Sequence, residues 1–292
     1  MKSAFDLSLI PAIDKRYQQL IKRTQQLPPR GSRPLTVSGR VAGWITARAT
    51  QVLSEVPGVE ISAEAVHITN TAAPCLSLNK VLENVARVLN EGGCVRGWRN
   101  ELLDVMGEGQ RLGVIERAAL RPLGLLTTAV HFNAWTPEGH LWIARRAPTK
   151  STNPNMWDTL VGGLTAAGES REDSLLRESN EEAGLRPADM AARTPLRTIL
   201  RMHRRLPEGY QVENVLVSEG VLDAAVVPHN LDGEVSEIRA VPLEQAWELA
   251  CADEFTLEAE LVVLDCLLKR LDGPRATRSV PAAPQAASPQ AR

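Results

Sequence analysis

GLTAAGESREDSLLRESNEEAGL, residues 163–185, carries helix signals and a run of carboxylates together. Ser170 is a good N-cap, Glu172 and Asp173 fall in the first turn, where the helix dipole favours negative charge, and Gly184 stands where a C-terminal glycine belongs. This spacing predicts a helix over 171–183. At roughly 100° per residue, Glu178, Glu181 and Glu182 share one arc, while Leu175, Leu176, Ser179 and Ala183 occupy another facing the core. Like charges at i, i+3 and i+4 repel by a few tenths of a kcal/mol per pair, so a cation must offset them. Hard divalent ions such as Mg²⁺ take oxygen ligands, commonly one or two carboxylates together with substrate phosphates. Arg177, four residues before Glu181, can hold one carboxylate in place.

Most acidic helical runs are simply solvated faces, but the preceding loop argues otherwise here. Gly162 and Gly163 follow an apolar run, where backbone can approach a ligand closely, and Glu169 sits just ahead of the helix. The segment resembles the Nudix box: glycine, five residues, glutamate, seven residues, Arg-Glu, an aliphatic, any residue, Glu-Glu, any residue, glycine, an aliphatic. Gly163, Glu169, Arg177, Glu178, Glu181, Glu182, Gly184 and Leu185 match without a gap. Ser179 departs from the pattern, on the core-facing arc. The resemblance implies that the Gly163 carbonyl, Glu178 and Glu182 bind metal. It makes Glu181 a ligand or the base that activates water, Arg177 the residue that orients a glutamate, and Glu169 an anchor behind them. The implied cofactor is Mg²⁺, with Mn²⁺ as substitute, and the implied reaction is attack of water on a diphosphate.

Composition narrows the alternatives. A chain of 292 residues with 43% hydrophobic content and net charge −2 suits a globular protein, and it shows no basic excess or stripe for nucleic acid. Cys75, Cys94, Cys251 and Cys266 are widely spaced and form neither a zinc pattern nor a disulfide framework. The first twenty residues are broken by Asp6, Pro11, Asp14 and Lys15, and no later run is long and apolar enough for a membrane span. The expectation is a cytoplasmic protein acting on a small-molecule diphosphate, with no nucleic-acid or membrane partner; oligomeric state is not legible.

Along the chain, residues 1–120 read as an N-terminal α+β domain, with a first helix over 7–27, a strand-like LTVSGRVAGWI and a helix over 78–91. Residues 121–272 open with two strand-like runs separated by TPEG, a hairpin signal. The box helix, three more strand-like runs and two helices over 243–250 and 256–271 follow. The order suits an α/β protein, the Nudix α/β/α sandwich with a mixed sheet, preceded by a small α+β domain. Residues 273–292 are rich in Pro, Ala, Gln and Ser and read as a disordered tail.

VHFNAW, GYQVENV, HNLDGEVSEIRAV, WRNELLDV and IERAAL are similar to a Nudix subgroup with an N-terminal domain of unknown function, related to the Nudix module of fungal thiamine pyrophosphokinase. That resemblance implies hydrolysis of thiamine diphosphate, or its oxidised derivatives, to the monophosphate and phosphate. A cationic heteroaromatic substrate wants aromatic faces and basic groups. Trp157 and Tyr210, with Trp135 and Trp98 behind them, are candidates for the first, and Arg145, Arg146 and Lys150 for the second. His131 and Asn133 alternate with apolar residues and can face the cleft, although a structural histidine is the commoner case. Glu234 in DGEVSE is a candidate late-loop base, ahead of Glu213. A pyrophosphatase of nucleotide sugars, ADP-ribose or dinucleotides would use the same box. An isopentenyl diphosphate isomerase would need a cysteine between Cys94 and Cys251, where none occurs, and a non-catalytic Nudix-like sensor typically loses the carboxylates retained here.

Overall fold

The computed structural model describes residues 6–71 and 73–272, so the tail over 273–292 lies outside the described residues. Chain order begins α1 (Ile10–Arg23), β1 (Arg33–Val37), β2 (Arg40–Ile45), α2 (Ala47–Val52), β3 (Val59–Ile61), β4 (Val66–Ile68) and α3 (Leu78–Glu91). It continues through β5 (Leu102–Gly107), β6 (Gln110–Glu116) and α4 (Leu120–Leu123). Then come β7 (Leu126–Trp135), β8 (Leu141–Arg146), β9 (Trp157–Thr159), β10 (Val161–Leu164) and α5 (Arg171–Ala183). The chain closes with β11 (Arg197–Leu206), β12 (Gly209–Val221), β13 (Val235–Val241), α6 (Leu243–Cys251) and α7 (Leu257–Asp272).

The N-terminal α+β region is a four-stranded sheet ordered β2-β1-β4-β3 and a β5–β6 hairpin. α3 buries Val81, Leu82, Val85, Ala86 and Leu89 in its core, the stripe its 3.6-residue period places on one face. The larger sheet runs β11-β12-β7-β8-β13, with β9 on β8 and β10 on β7. β12 is parallel to β7 while the other pairings are antiparallel, so the sheet is mixed. Both faces of β7 are covered: Val130, Phe132 and Ala134 pack with Leu175 and Ala183 of α5, and Trp135 packs with α6 and α7. The result is an α/β/α sandwich.

Two differences from the sequence reading bear on the site. The TPEG hairpin is paired only at Trp135↔Leu141; beyond it β7 and β8 part, and β9 and β10 fill the gap, which brings Gly162 beside His131. α1, assigned to the first domain by its position, instead buries Ile13, Tyr17 and Leu20 in the core that holds α6 and α7. Its Arg16 bonds Glu260 at 2.6 Å. The 3.6-residue period shows that a helix has a buried face but not which layer covers it.

Candidate active site

The box helix is fixed locally at both ends. Ser170 Oγ accepts from the Asp173 amide at 3.1 Å, and Gly184 closes the C-terminus with φ 63°. Ser174, Leu175, Ser179 and Ala183 face inward, which leaves Glu178 and Glu181 on the side towards β10. There Gly163 lies so close to the helix that a Cβ would stand 2.0 Å from the Glu178 carboxyl carbon. The neighbouring Gly162 amide donates to Glu182 Oε2 at 2.8 Å. Glycine at 163 is therefore a packing requirement of the carboxylate beside it.

Arg177 gathers the cluster. Its Nε and Nη2 donate to both oxygens of Glu169, at 2.7 and 2.9 Å, in the paired geometry a guanidinium offers a carboxylate. Nη1 donates to Glu178 Oε1 at 2.8 Å and to Glu181 Oε2 at 3.0 Å. Glu169 also accepts from Ser174 Oγ and the Ala166 amide. Its bonds to Arg177 first, then those to Ser174 and Ala166, pull its pKa down to about 2. The helix carboxyls behave oppositely. Burial raises Glu178, and it pushes Glu182 up to about 8 against the opposing bond from Gly162.

Gly163, Glu178, Glu181 and Glu182 make an all-oxygen donor set, and two of the carboxyls are held in surroundings that penalise bare negative charge, which suits a hard divalent ion. In the present arrangement Glu178 and Glu181 turn to Arg177 and Glu182 to the Gly162 amide. Among the described residues no three His, Cys, Asp or Glu side chains group at ligand spacing.

Beside this corner opens a cleft of about 420 Å³, lined at one end by Gly162, Gly163, His131, Arg146 and Asp158. The lining is also basic, with Arg96, Arg117 and Arg121 contributed from ahead of β7. Gln211 and Glu213 line both the cleft and an adjoining recess of about 100 Å³. Thr159 Oγ1 donates to the Val161 carbonyl, so it receives the proton of His131 Nδ1 at 3.0 Å. His131 Nε2 is then a buried acceptor without a partner, and burial lowers the pKa of the ring. Glu213 accepts from Thr127 Oγ1 and from Gln211 Nε2, and burial lifts its carboxyl to about 7, helped by nearby Glu258.

The chain is similar to known proteins along most of its length. Residues 125–259 match the family model described as NUDIX domain, and residues 16–127 match a domain of unknown function, DUF4743. By that match the chain carries a NUDIX domain over residues 125–259. Two Arabidopsis thaliana proteins are similar along most of it. Nudix hydrolase 20, chloroplastic, is 27% identical over 254 residues, covering 81% of this chain and 67% of the relative. Nudix hydrolase 24, chloroplastic, is 28% identical over 251 residues with the same coverage of both chains. A Deinococcus radiodurans protein of solved crystal structure aligns with 57% of this chain and 99% of its own, at 26% identity and TM-score 0.45. Nudix hydrolases as a class use divalent metal ions.

The Nudix domain brings some of the residues singled out from sequence to its cleft and leaves others away from it. Arg146 lines the cleft, bonded to Asp158 at 3.0 Å, and His131 lines it too. Lys150 and Glu234 pair with each other, and the charge of Glu182 is felt at Lys150. Tyr210 lines the recess, but its hydroxyl donates to the Gln26 carbonyl at 2.7 Å. Trp157 is a correction: it is 3% exposed, belongs to the core and lies under the guanidinium of Arg239 at 4.3 Å and that of Arg145 at 5.6 Å. Arg145 is held there and bonds the Asn155 carbonyl, away from the cleft. Asn133 is fully buried and absent from the lining, as is Trp135, which packs under Arg270. Trp98 is exposed, its indole bonded to Asn100.

Sequence reasoning missed Arg96, Arg117 and Arg121, which lie outside the Nudix box. An available signal was the concentration of arginine in residues 96–121.

Proposed function

We propose that the Nudix domain is a Mg²⁺-dependent diphosphatase, with Mn²⁺ as a substitute ion. The observation that carries this reading is the apposition of Gly162 and Gly163 to Glu178 and Glu182, with Arg177 tying Glu169, Glu178 and Glu181 into one unit. Glu178, Glu182 and the Gly163 carbonyl would hold the ion, with Glu181 beside them. Mg²⁺, when bound, neutralises the diphosphate and acidifies the attacking water. Glu181 is the most open of the three helix carboxylates, its side chain 43% exposed against 14% for Glu178, and it takes the proton from water. Arg177 keeps Glu181 pointed, while Glu169 keeps Arg177 from swinging away. Arg146 and Lys150 bind substrate oxygens, and Glu234 steadies Lys150.

The substrate reading is thiamine diphosphate or its oxidised derivatives, cleaved to the monophosphate and phosphate. Its support is the resemblance of both halves of the chain to the thiamine-associated subgroup. A second reading, cleavage of a nucleoside diphosphate linked to a sugar or cofactor, uses the same box, and the placement of Trp157 in the core removes one aromatic face that the thiamine reading had counted on. Hydrolase function belongs to 121–272 with α1 docked on it, and 25–120 supplies Arg96 and Arg117 to the cleft lining. The cysteines are free thiols, which suits a cytoplasmic setting. Among the described residues no helix is long and apolar enough to cross a membrane.

The test is phosphate release with and without Mg²⁺ from thiamine diphosphate, its oxo and oxy analogues, ADP-ribose and nucleotide sugars. Preference for the thiamine compounds supports the first reading, and preference for a nucleotide replaces it with the second.

A further inference from the structure

We propose that the N-terminal α+β region is part of the catalytic cleft, its Arg96 and Arg117 clamping the phosphates of the substrate together with Arg121 at the domain boundary. The inference rests on the diphosphatase reading for its ligand, but its evidence is separate from the box. All three arginines line the same cavity as Gly162 and Gly163, and all come from ahead of β7. Arg96 has no hydrogen-bond or ion-pair partner among the described residues. Arg117 bonds Glu101 at 2.6 Å through Nη1, which leaves donors of its fork uncommitted. Arg121 pairs with Glu208, which lines the same cavity.

The segment that presents these guanidinium groups is built rather than loose. Glu116 is 4% exposed, and its carboxylate accepts from three amides: Arg99 at 2.9 Å, Glu101 at 3.2 Å and Ala118 at 3.3 Å. One buried side chain thereby fixes the backbone on both sides of the arginine cluster. The same region grips the Nudix domain at the loop before α5. The Ala167 amide donates to the Leu102 carbonyl at 2.9 Å, and the Gly168 amide donates to both oxygens of Asp104 at 3.2 Å. Arg99 bonds Ser151 on the loop between β8 and β9. The wall and the box are therefore held in fixed relation. Planar guanidinium forks match phosphate oxygens, and bonds to charged groups are the stronger kind.

The test uses the full-length chain and inorganic pyrophosphate as probe, with binding measured calorimetrically in EDTA so that neither metal nor turnover enters. Wild-type protein should bind, and Arg96→Ala and Arg117→Ala should each weaken binding at least tenfold. Arg117→Lys, which keeps the charge, should recover most of the loss, and Arg87→Ala on the outer face of α3 should bind as wild type does. With any diphosphate the domain hydrolyses, the same two alanine variants should raise KM at least tenfold and change kcat less than threefold. Failure of wild-type protein to bind pyrophosphate, or variants that bind it equally well, would overturn the clamp. Pyrophosphate binding that depends on these arginines, without hydrolysis of any diphosphate offered, would instead sink the diphosphatase reading and leave the clamp standing.

Discussion

One wall of the cleft comes from a single run of sequence, in which Gly162 and Gly163 on β10 meet Glu178 and Glu182 on α5. A second part of the lining takes Arg96, Arg117 and Arg121 from segments ahead of β7, and a third takes Gln211 and Glu213 from β12. The first wall is packed to contact and is electrostatically costly without a cation. The second is open, and Arg117 and Arg121 on it are offset by acids of their own. Small changes on the first should therefore disrupt chemistry, whereas changes on the second should shift affinity or stability.

The comparison is tested most severely on the box side. Glu182→Gln keeps the shape of the side chain and removes its charge, and we expect turnover to fall about 10³-fold with circular dichroism unchanged. Retained activity with Mg²⁺ would break the assignment of that wall. Gly163→Ala forces a Cβ into Glu178, so turnover should drop about 10²-fold. Stability should fall by roughly 1–3 kcal/mol as the strand shifts. Normal kinetics in that variant would mean that the wall has more give than the contact implies.

In the third part of the lining, Glu213→Gln should act on stability in a pH-dependent way. At pH 4 the carboxyl is protonated folded or unfolded and contributes nothing. The unfolded chain ionises near 4.5 while the folded group, raised by burial, holds its proton to about 7. Stability is therefore lost as pH rises through that window and stays lost above it, by up to about 3 kcal/mol. The glutamine variant should match wild type at pH 4 and exceed it in denaturant unfolding at pH 8; equal stability at both values would show that Glu213 ionises freely in the cleft. The smallest effect on binding is expected from Trp157→Phe, which should move KM less than twofold and cost about 1 kcal/mol through its weaker hold on Arg239. A large KM change would return Trp157 to the substrate.

These contrasts also explain what was legible. Helix 171–183 was readable to the residue because Ser170, Gly184 and the carboxylate spacing act within a few turns of one another. Arg177 was expected to hold one glutamate and holds three, since Glu169 and Glu178 reach it through the fold of the loop and the close approach of β10. Trp157 was misplaced because an aromatic near a strand end can face either layer. Its side is decided by the pairing of β9 with β8 and by the arginines of β8 and β13 that cover it. The partner of α1 and the arginine wall depend on contacts between segments 52 to 244 positions apart, for which a periodic pattern carries no information.

The most direct measurement is Mg²⁺-dependent phosphate release from thiamine diphosphate, its analogues and the nucleotide panel by wild-type protein and Glu182→Gln side by side. The account predicts hydrolysis by the wild type that needs the ion and falls about 10³-fold in the variant. Hydrolysis of none of these diphosphates, or hydrolysis that Glu182→Gln leaves intact, would contradict it.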